Sequence, residues 1–356
     1  MDSKERISKI LLRKPVDRIG LFEEFWTDTY KAWKEGFGSE SEVILPGLKL
    51  DMEKGWPFDF TADVSFKPQV LEETDEVILL FDGNGATLRK HKLHVSTPEH
   101  IGFSCNSPEI WYTDFKPLLE NIKGRIDRDG YGDSVRRSNR NNSFMLCSSW
   151  NVFQNMVNLC GHEALLTAMA MHPDWVHDMV TAFSKLAIRL HEDLFARYGT
   201  PDGLYIMEDL GYKQRLFMSP AMFREFIKPA YVEICAFAKS LGLPVLFHSC
   251  GFIEPIVPEL IDAGIDCLTA MEVKAGMDVV RLFKNYGENL SFMGGIDTRA
   301  LCTNDRAVIE VELQRVVPIL KEGNGYILSS DHSIPDTVSY DSYCWFVERG
   351  LELGRR

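Results

Sequence analysis

Eight short apolar runs, most of them giving way to a stretch with helical spacing, limit the fold of this chain more than any other feature. The runs open at Ile19, Phe58, Phe144, Leu204, Val245, Cys267, Ser291 and Tyr326. Helical patterns follow at 27–36, 164–171, 175–198, 219–241, 253–263, 279–286 and 304–321. Parallel strands need a crossover of a dozen or so residues, usually a helix, so this rhythm predicts βαβ units. Glycines 242, 264, 287 and 323 stand where a helix hands over to the next strand. Ser219-Pro220 supplies a cap and a first-turn proline for the helix after the fourth run. Eight such units predict a (β/α)8 TIM barrel, an α/β fold whose active sites lie at the C-terminal ends of the strands. A doubly wound open sheet is the alternative, but no glycine-rich phosphate loop follows an early strand.

The rhythm breaks between about 65 and 140. VILLFDGNGATLR at 77–89 predicts a β-hairpin turning at DGNG. Residues 111–126 read as helix and 127–142 as a polar loop. This segment is expected to be a β-hairpin/helix insertion after the second strand, covering one barrel mouth within a single domain, 1–356. At the N-terminus, 3–12 read as a helix capped by Ser3, and the helix at 27–36 is expected to stop at Gly36 and Gly38.

A net charge of −13 argues against nucleic acid and against an anionic membrane surface as partners. MDSKERISKILLRKP lacks a signal-peptide core, and no run approaches the roughly 18 apolar residues that span a bilayer. Eight scattered cysteines without a disulfide framework point to a reducing cytoplasm.

The predicted strand tips carry Glu23 and Glu24; Asp63; Ser148 and Trp150; Glu208 and Asp209; His248 and Cys250; Glu272; Asp297; Asp331 and His332. Any one of these carboxylates is also explained as a solvated loop residue or a helix cap. In PVLFHSCG, 244–251, residues two apart on a strand project together, so His248 and Cys250 share a face. Imidazole and thiolate both bind zinc, and three protein ligands with an open position mark a catalytic zinc site. His332 is the third ligand to expect and Glu272 a fourth donor. Without a metal, His332 would instead bind a substrate carboxylate.

On RKPVDRI near the start, MEDLGYKQRLFMSPAMFREFIKP at 207–229, LFHSCG at 246–251, AMEVKAGMD at 270–278, SFMGGID at 291–297 and YILSSDHSIP at 326–335, the chain resembles the uroporphyrinogen decarboxylase superfamily. That superfamily includes cobalamin-dependent methyltransferases. Where the decarboxylases carry an arginine-rich segment that grips carboxylates, this chain has LFEEFWTDTYKAW, with no arginine between Arg18 and Arg89. The resemblance therefore implies the methyltransferase branch, with zinc held by His248, Cys250 and a residue near the last strand. Relatives usually have cysteine at that last place; here it is His332. The implied reaction moves a methyl group between a small methylated compound, such as a methoxylated aromatic, and the cobalt of cobalamin on a separate corrinoid protein. Glu208, Asp209 and Asp331 are then candidates for protonating the leaving group or orienting a ligand. Glu23, Glu24, Trp26 and Trp150, with Phe22 and Phe25, would face the substrate; the aromatic residues are equally explained as barrel packing. Transfer from a methyl-corrinoid to a thiol, decarboxylation of a smaller acid and a non-catalytic zinc- or corrinoid-partner-binding role are the alternatives. The oligomeric state stays open, a homodimer included.

Overall fold

A computed structural model describes residues 1–37, 49–92 and 97–356. Eight parallel strands form one sheet: β1 (Gly20–Leu21), β2 (Met52–Gly55), β3 (Phe144–Trp150), β4 (Gly203–Glu208), β5 (Val245–Ser249), β6 (Cys267–Ala270), β7 (Ser291–Met293) and β8 (Tyr326–Leu328). The order β1-β8-β7-β6-β5-β4-β3-β2 curls the sheet into a nearly closed TIM barrel, with helices on its outside. At the seam between β1 and β2 the Asp51 N–H donates to the Leu21 carbonyl at 2.8 Å, and the Asp51 carboxylate accepts from the Leu21 N–H at 2.9 Å. These two bonds close what ladder pairing leaves open.

Alternation along the strands sorts the side chains. Met52, Leu146, Tyr205, Met207, Leu246, Cys267, Met293 and Ile327 form the barrel interior. Ile7, Ile10 and Leu11 of the helix Ser3–Leu11 join the same cluster, so this helix plugs the N-terminal end of the barrel. Burying each such side chain stabilises by about 1.5–3 kcal/mol. The residues that continue these inward rows, Lys54, Asp209, His248, Cys250 and Thr269, face the opposite mouth.

Several expectations need correction. The second strand is Met52–Gly55, paired Met52↔Phe144 through Gly55↔Cys147, and not the run from Phe58 to Val64. Phe58 makes only an isolated bridge to Ile126. The true strand escaped notice because its middle is Glu53-Lys54. Both are paired: Glu53 with Arg137 at 2.7 Å outside, and Lys54 with Glu24 inside. Asp63 is therefore no strand tip, and its carboxylate accepts from the Ser65 N–H and hydroxyl in a turn. The stretch read as a polar loop contains the helix Arg128–Asn141, capped by Asp127 and pinned by the buried Tyr131. Tyr131 lies over Gly55, where a Cβ would come within 2.8 Å of its ring. The first helix is capped by Asp2, while Ser3 donates to Asp51. The helix Thr27–Phe37 runs through Gly36, and Gly38 lies outside the described residues.

The hairpin is present, extended into a four-stranded antiparallel sheet of Gln69–Glu73, Val77–Phe81, Ala86–His91 and Glu99–Phe103. Its turn is set by Asp82, whose carboxylate accepts from the N–H of Asn84 and of Ala86, both at 2.9 Å. Among the described residues no helix is long and apolar enough to cross a membrane.

Candidate active site at the barrel mouth

Two cavities meet above the strand ends. The first, about 510 Å³, is lined by Glu23, Glu24, Trp26, Trp56, Trp150, Asp209, His248, Cys250, Thr269 and His332, among others. The second, about 1530 Å³, shares Thr97, Trp150, Asp209 and Cys250 with it. It opens between the insertion sheet (Asp82, Leu88, His100, Phe103) and the loop carrying Tyr212 and Lys213.

At the floor of the first cavity the pair predicted from period two is in place, with Cys250 Sγ 3.5 Å from His248 Nε2. Donor atoms of Asp209, His248 and Cys250 all lie within 4.8 Å of one another. Burial pushes the His248 imidazole down to about 3, with the Lys54 and His332 charges adding to it, so its ring stays neutral. Burial also raises the Cys250 thiol, and the Asp209 carboxylate adds to that. Asp209 is itself raised by burial. Gly251 makes this corner possible: at φ 77° it packs against Gly211, where a Cβ would meet the Gly211 carbonyl carbon at 2.3 Å.

His332 lines the same cavity and stacks on Trp26, ring centroids 5.7 Å apart. Glu272 lies in the second cavity, accepting from the Gly251 N–H at 2.8 Å and pairing with Lys274 at 3.1 Å. Glu23 is buried and accepts from Ser330 N–H, Ser330 Oγ and Ser329 Oγ. Burial pushes its carboxyl up to about 8. Phe22 lines the cavity, whereas Phe25 packs edge-on against Trp33 and Tyr343 in the core.

Glu208 and Asp331 line neither cavity. Asp331 accepts from Val273 N–H at 2.8 Å and Thr298 N–H at 2.9 Å, tying together the loops after β6, β7 and β8. Asp297 caps the helix Thr298–Cys302 and pairs with Arg299. Glu208, fully buried, accepts from Phe153 N–H, Gln154 N–H and Tyr231 Oη, which anchors the start of the helix Val152–Met171. Burial raises its carboxyl from the ordinary 4.5 to about 8. Between those values the folded chain holds a proton that the unfolded chain releases, so this contribution to stability falls as pH rises. Wild type is therefore expected to lose more stability than Glu208→Gln between pH 5 and 8, read from denaturation midpoints; equal losses would refute it.

Sequence reasoning missed Lys54, whose only signal is its place two residues after Met52. Its ammonium contacts Glu24 and lies against Trp56 and Tyr205. Burial pulls it down to about 7; the adjacent Glu24 carboxylate and the ring faces act in the opposite sense.

Residues 144–351, more than half of the chain, match the family described as Uroporphyrinogen decarboxylase (URO-D). The chain belongs to the uroporphyrinogen decarboxylase family. No curated protein matches it. A solved methyltransferase from Methanosarcina mazei aligns over 99% of this chain and 99% of its own at 16% identity, with a TM-score of 0.69. At that identity the likeness shows the fold. A 3-keto-L-gulonate-6-phosphate decarboxylase from Vibrio cholerae O1 biovar El Tor, 10% identical, covers 62% of this chain and 92% of its own at a TM-score of 0.28, too low to bear on the site. No arginine is among the described residues lining the first cavity. The RKPVDRI motif is structural. Asp17 pairs with Arg6, and Arg18 with Asp51, at the barrel seam.

Proposed function

We propose that this chain is a methyltransferase moving a methyl group between a small methylated compound, a methoxylated aromatic or similar, and the cobalt of a separate corrinoid protein. The observation that carries the proposal is the convergence of Asp209, His248 and Cys250 at the floor of a cavity whose described lining holds no arginine. A substrate with several carboxylates would find no guanidinium there. A volume of about 510 Å³ suits a small ligand, within the usual ~300–1,000 Å³.

The residues fit a zinc ion. A carboxylate, a neutral imidazole and a thiol are zinc's donor types, and the burial that keeps the Cys250 thiol protonated is what a bound dication reverses. His248, Cys250 and Asp209 would hold it, with His332 a further candidate on the cavity wall. Zinc when bound supplies Lewis-acid polarisation of a substrate heteroatom. The chain's own residues do the rest. Trp26 and His332 form one stacked wall and Trp56 and Trp150 another, between which a flat ring is oriented. Glu23, carrying its proton near neutral pH, can hydrogen-bond a leaving oxygen; Glu208 and Asp331 hold the loops that frame the site. The wide second cavity supports access by a macromolecule-borne cofactor, and a reducing cytoplasm suits such chemistry.

The test mixes the purified protein with a Co(I) corrinoid protein and methoxylated aromatics. Methylation is expected as a change in the corrinoid absorption spectrum that depends on both protein and donor. No change with any methylated donor, while methyl iodide methylates the same corrinoid protein, would sink the proposal.

A further inference from the structure

The Lys54 ammonium lies 4.7 Å from the Trp56 ring centroid, 4.8 Å from that of Tyr205 and 6.0 Å from that of Phe22. All three rings line the first cavity. Aromatic faces gathered around one cation are how proteins recognise methylated ammonium groups. Here the cage is filled by the chain's own lysine, only 11% exposed, and the lysine contacts the Glu24 carboxylate. The acidic appearance of the lining is thereby answered from within. Glu24 is paired, Glu23 is hydrogen-bonded to Ser329 and Ser330, and Asp209 faces Cys250.

We propose that Lys54, caged by Phe22, Trp56 and Tyr205 and paired with Glu24, sets the charge of the ligand this cavity accepts, excluding methylated ammonium compounds and admitting anionic methoxylated aromatics. A second cation would have to share the rings with Lys54 at close range, whereas an anionic ring is drawn by the ammonium held behind the aromatic wall. The inference deepens the methyl-transfer reading and rests on it for the word donor. Its content is a binding preference, which needs no turnover to measure.

The experiment titrates wild type, Lys54→Met and Lys54→Arg with 3-methoxybenzoate and with tetramethylammonium, following tryptophan fluorescence. Wild type is expected to bind 3-methoxybenzoate in preference to tetramethylammonium. Lys54→Met should weaken the anion and strengthen the cation, each by about tenfold or more, and Lys54→Arg should keep the wild-type order. A Lys54→Met protein with the wild-type order, or a wild type preferring tetramethylammonium, overturns the proposal. If Lys54→Met does not fold, Glu24→Gln decides: freeing the ammonium should tighten 3-methoxybenzoate, and unchanged affinity counts against Lys54. Correct binding order without methyl transfer would fail only the proposed reaction. Methyl transfer with the wrong binding order would fail only this inference.

Discussion

His248→Ala and Cys250→Ser are each expected to strip the protein of zinc and abolish methyl transfer, while Glu272→Gln keeps the metal. The wild type should bind about one zinc per chain, as a single three-donor site implies. Among the described residues Asp209, His248 and Cys250 are the group whose donor atoms crowd within 4.8 Å. Losing a hydrogen-bonded supporter of a metal ligand costs about 10–100-fold in affinity, so losing a ligand itself costs more. Glu272 is committed elsewhere, to the Gly251 N–H and to Lys274. His332→Ala removes a wall residue stacked on Trp26 and leaves the crowded trio intact, so it should lower metal affinity less than His248→Ala. Metal analysis on dialysed proteins checks the series. Zinc at wild-type level in both His248→Ala and Cys250→Ser would refute the site, whatever the activity.

The halves of this site differ in how readily the sequence betrays them, and the reason is periodicity. His248 and Cys250 follow an unbroken apolar strand, so period two alone puts them on one face, and the structure brings their Nε2 and Sγ to 3.5 Å. Lys54 follows the same rule on β2, two residues after the inward Met52, but Glu53-Lys54 interrupts the apolar run that would announce a strand. The ion pairs that make those charges tolerable, to Arg137 and Glu24, come from residues far off in sequence and cannot be read locally. The helix Arg128–Asn141 was hidden for a related reason: its charged surface says loop, and only its cap and the burial of Tyr131 say helix. Asp209, Glu208 and Asp331 look alike as carboxylates after apolar runs. They part company in three dimensions, since only Asp209 lines the cavity while the other two accept backbone N–H groups. A carboxylate's neighbours decide its role, and those neighbours come from other βα units.

Asp51→Ala is expected to be the most destabilising single change in the barrel frame. Asp51 is fully buried, and its carboxylate accepts from Ser3 Oγ at 2.7 Å, Arg6 at 2.8 Å, Arg18 at 2.7 and 3.0 Å, and the Leu21 N–H at 2.9 Å. Alanine would leave the Arg6 guanidinium, 5% exposed, with Asp17 as its one carboxylate partner among the described residues, and Arg18 with none. Removing one member of a buried ion pair costs about 3–5 kcal/mol, mainly because the surviving charge is stranded. Asp51→Asn keeps one acceptor oxygen and the shape, so it should fall between wild type and alanine. Denaturation followed by tryptophan fluorescence measures the series, and Asp51→Ala within about 0.5 kcal/mol of wild type, the range of ordinary surface changes, would refute it. The consequence reaches the active site. Asp51 holds the edge of β2 against β1, and Lys54 stands on β2 facing Glu24 beyond the end of β1, so the seam fixes the distance across which that pair forms. Asp51→Asn protein that still folds should therefore bind 3-methoxybenzoate more weakly than wild type, although position 51 touches no ligand.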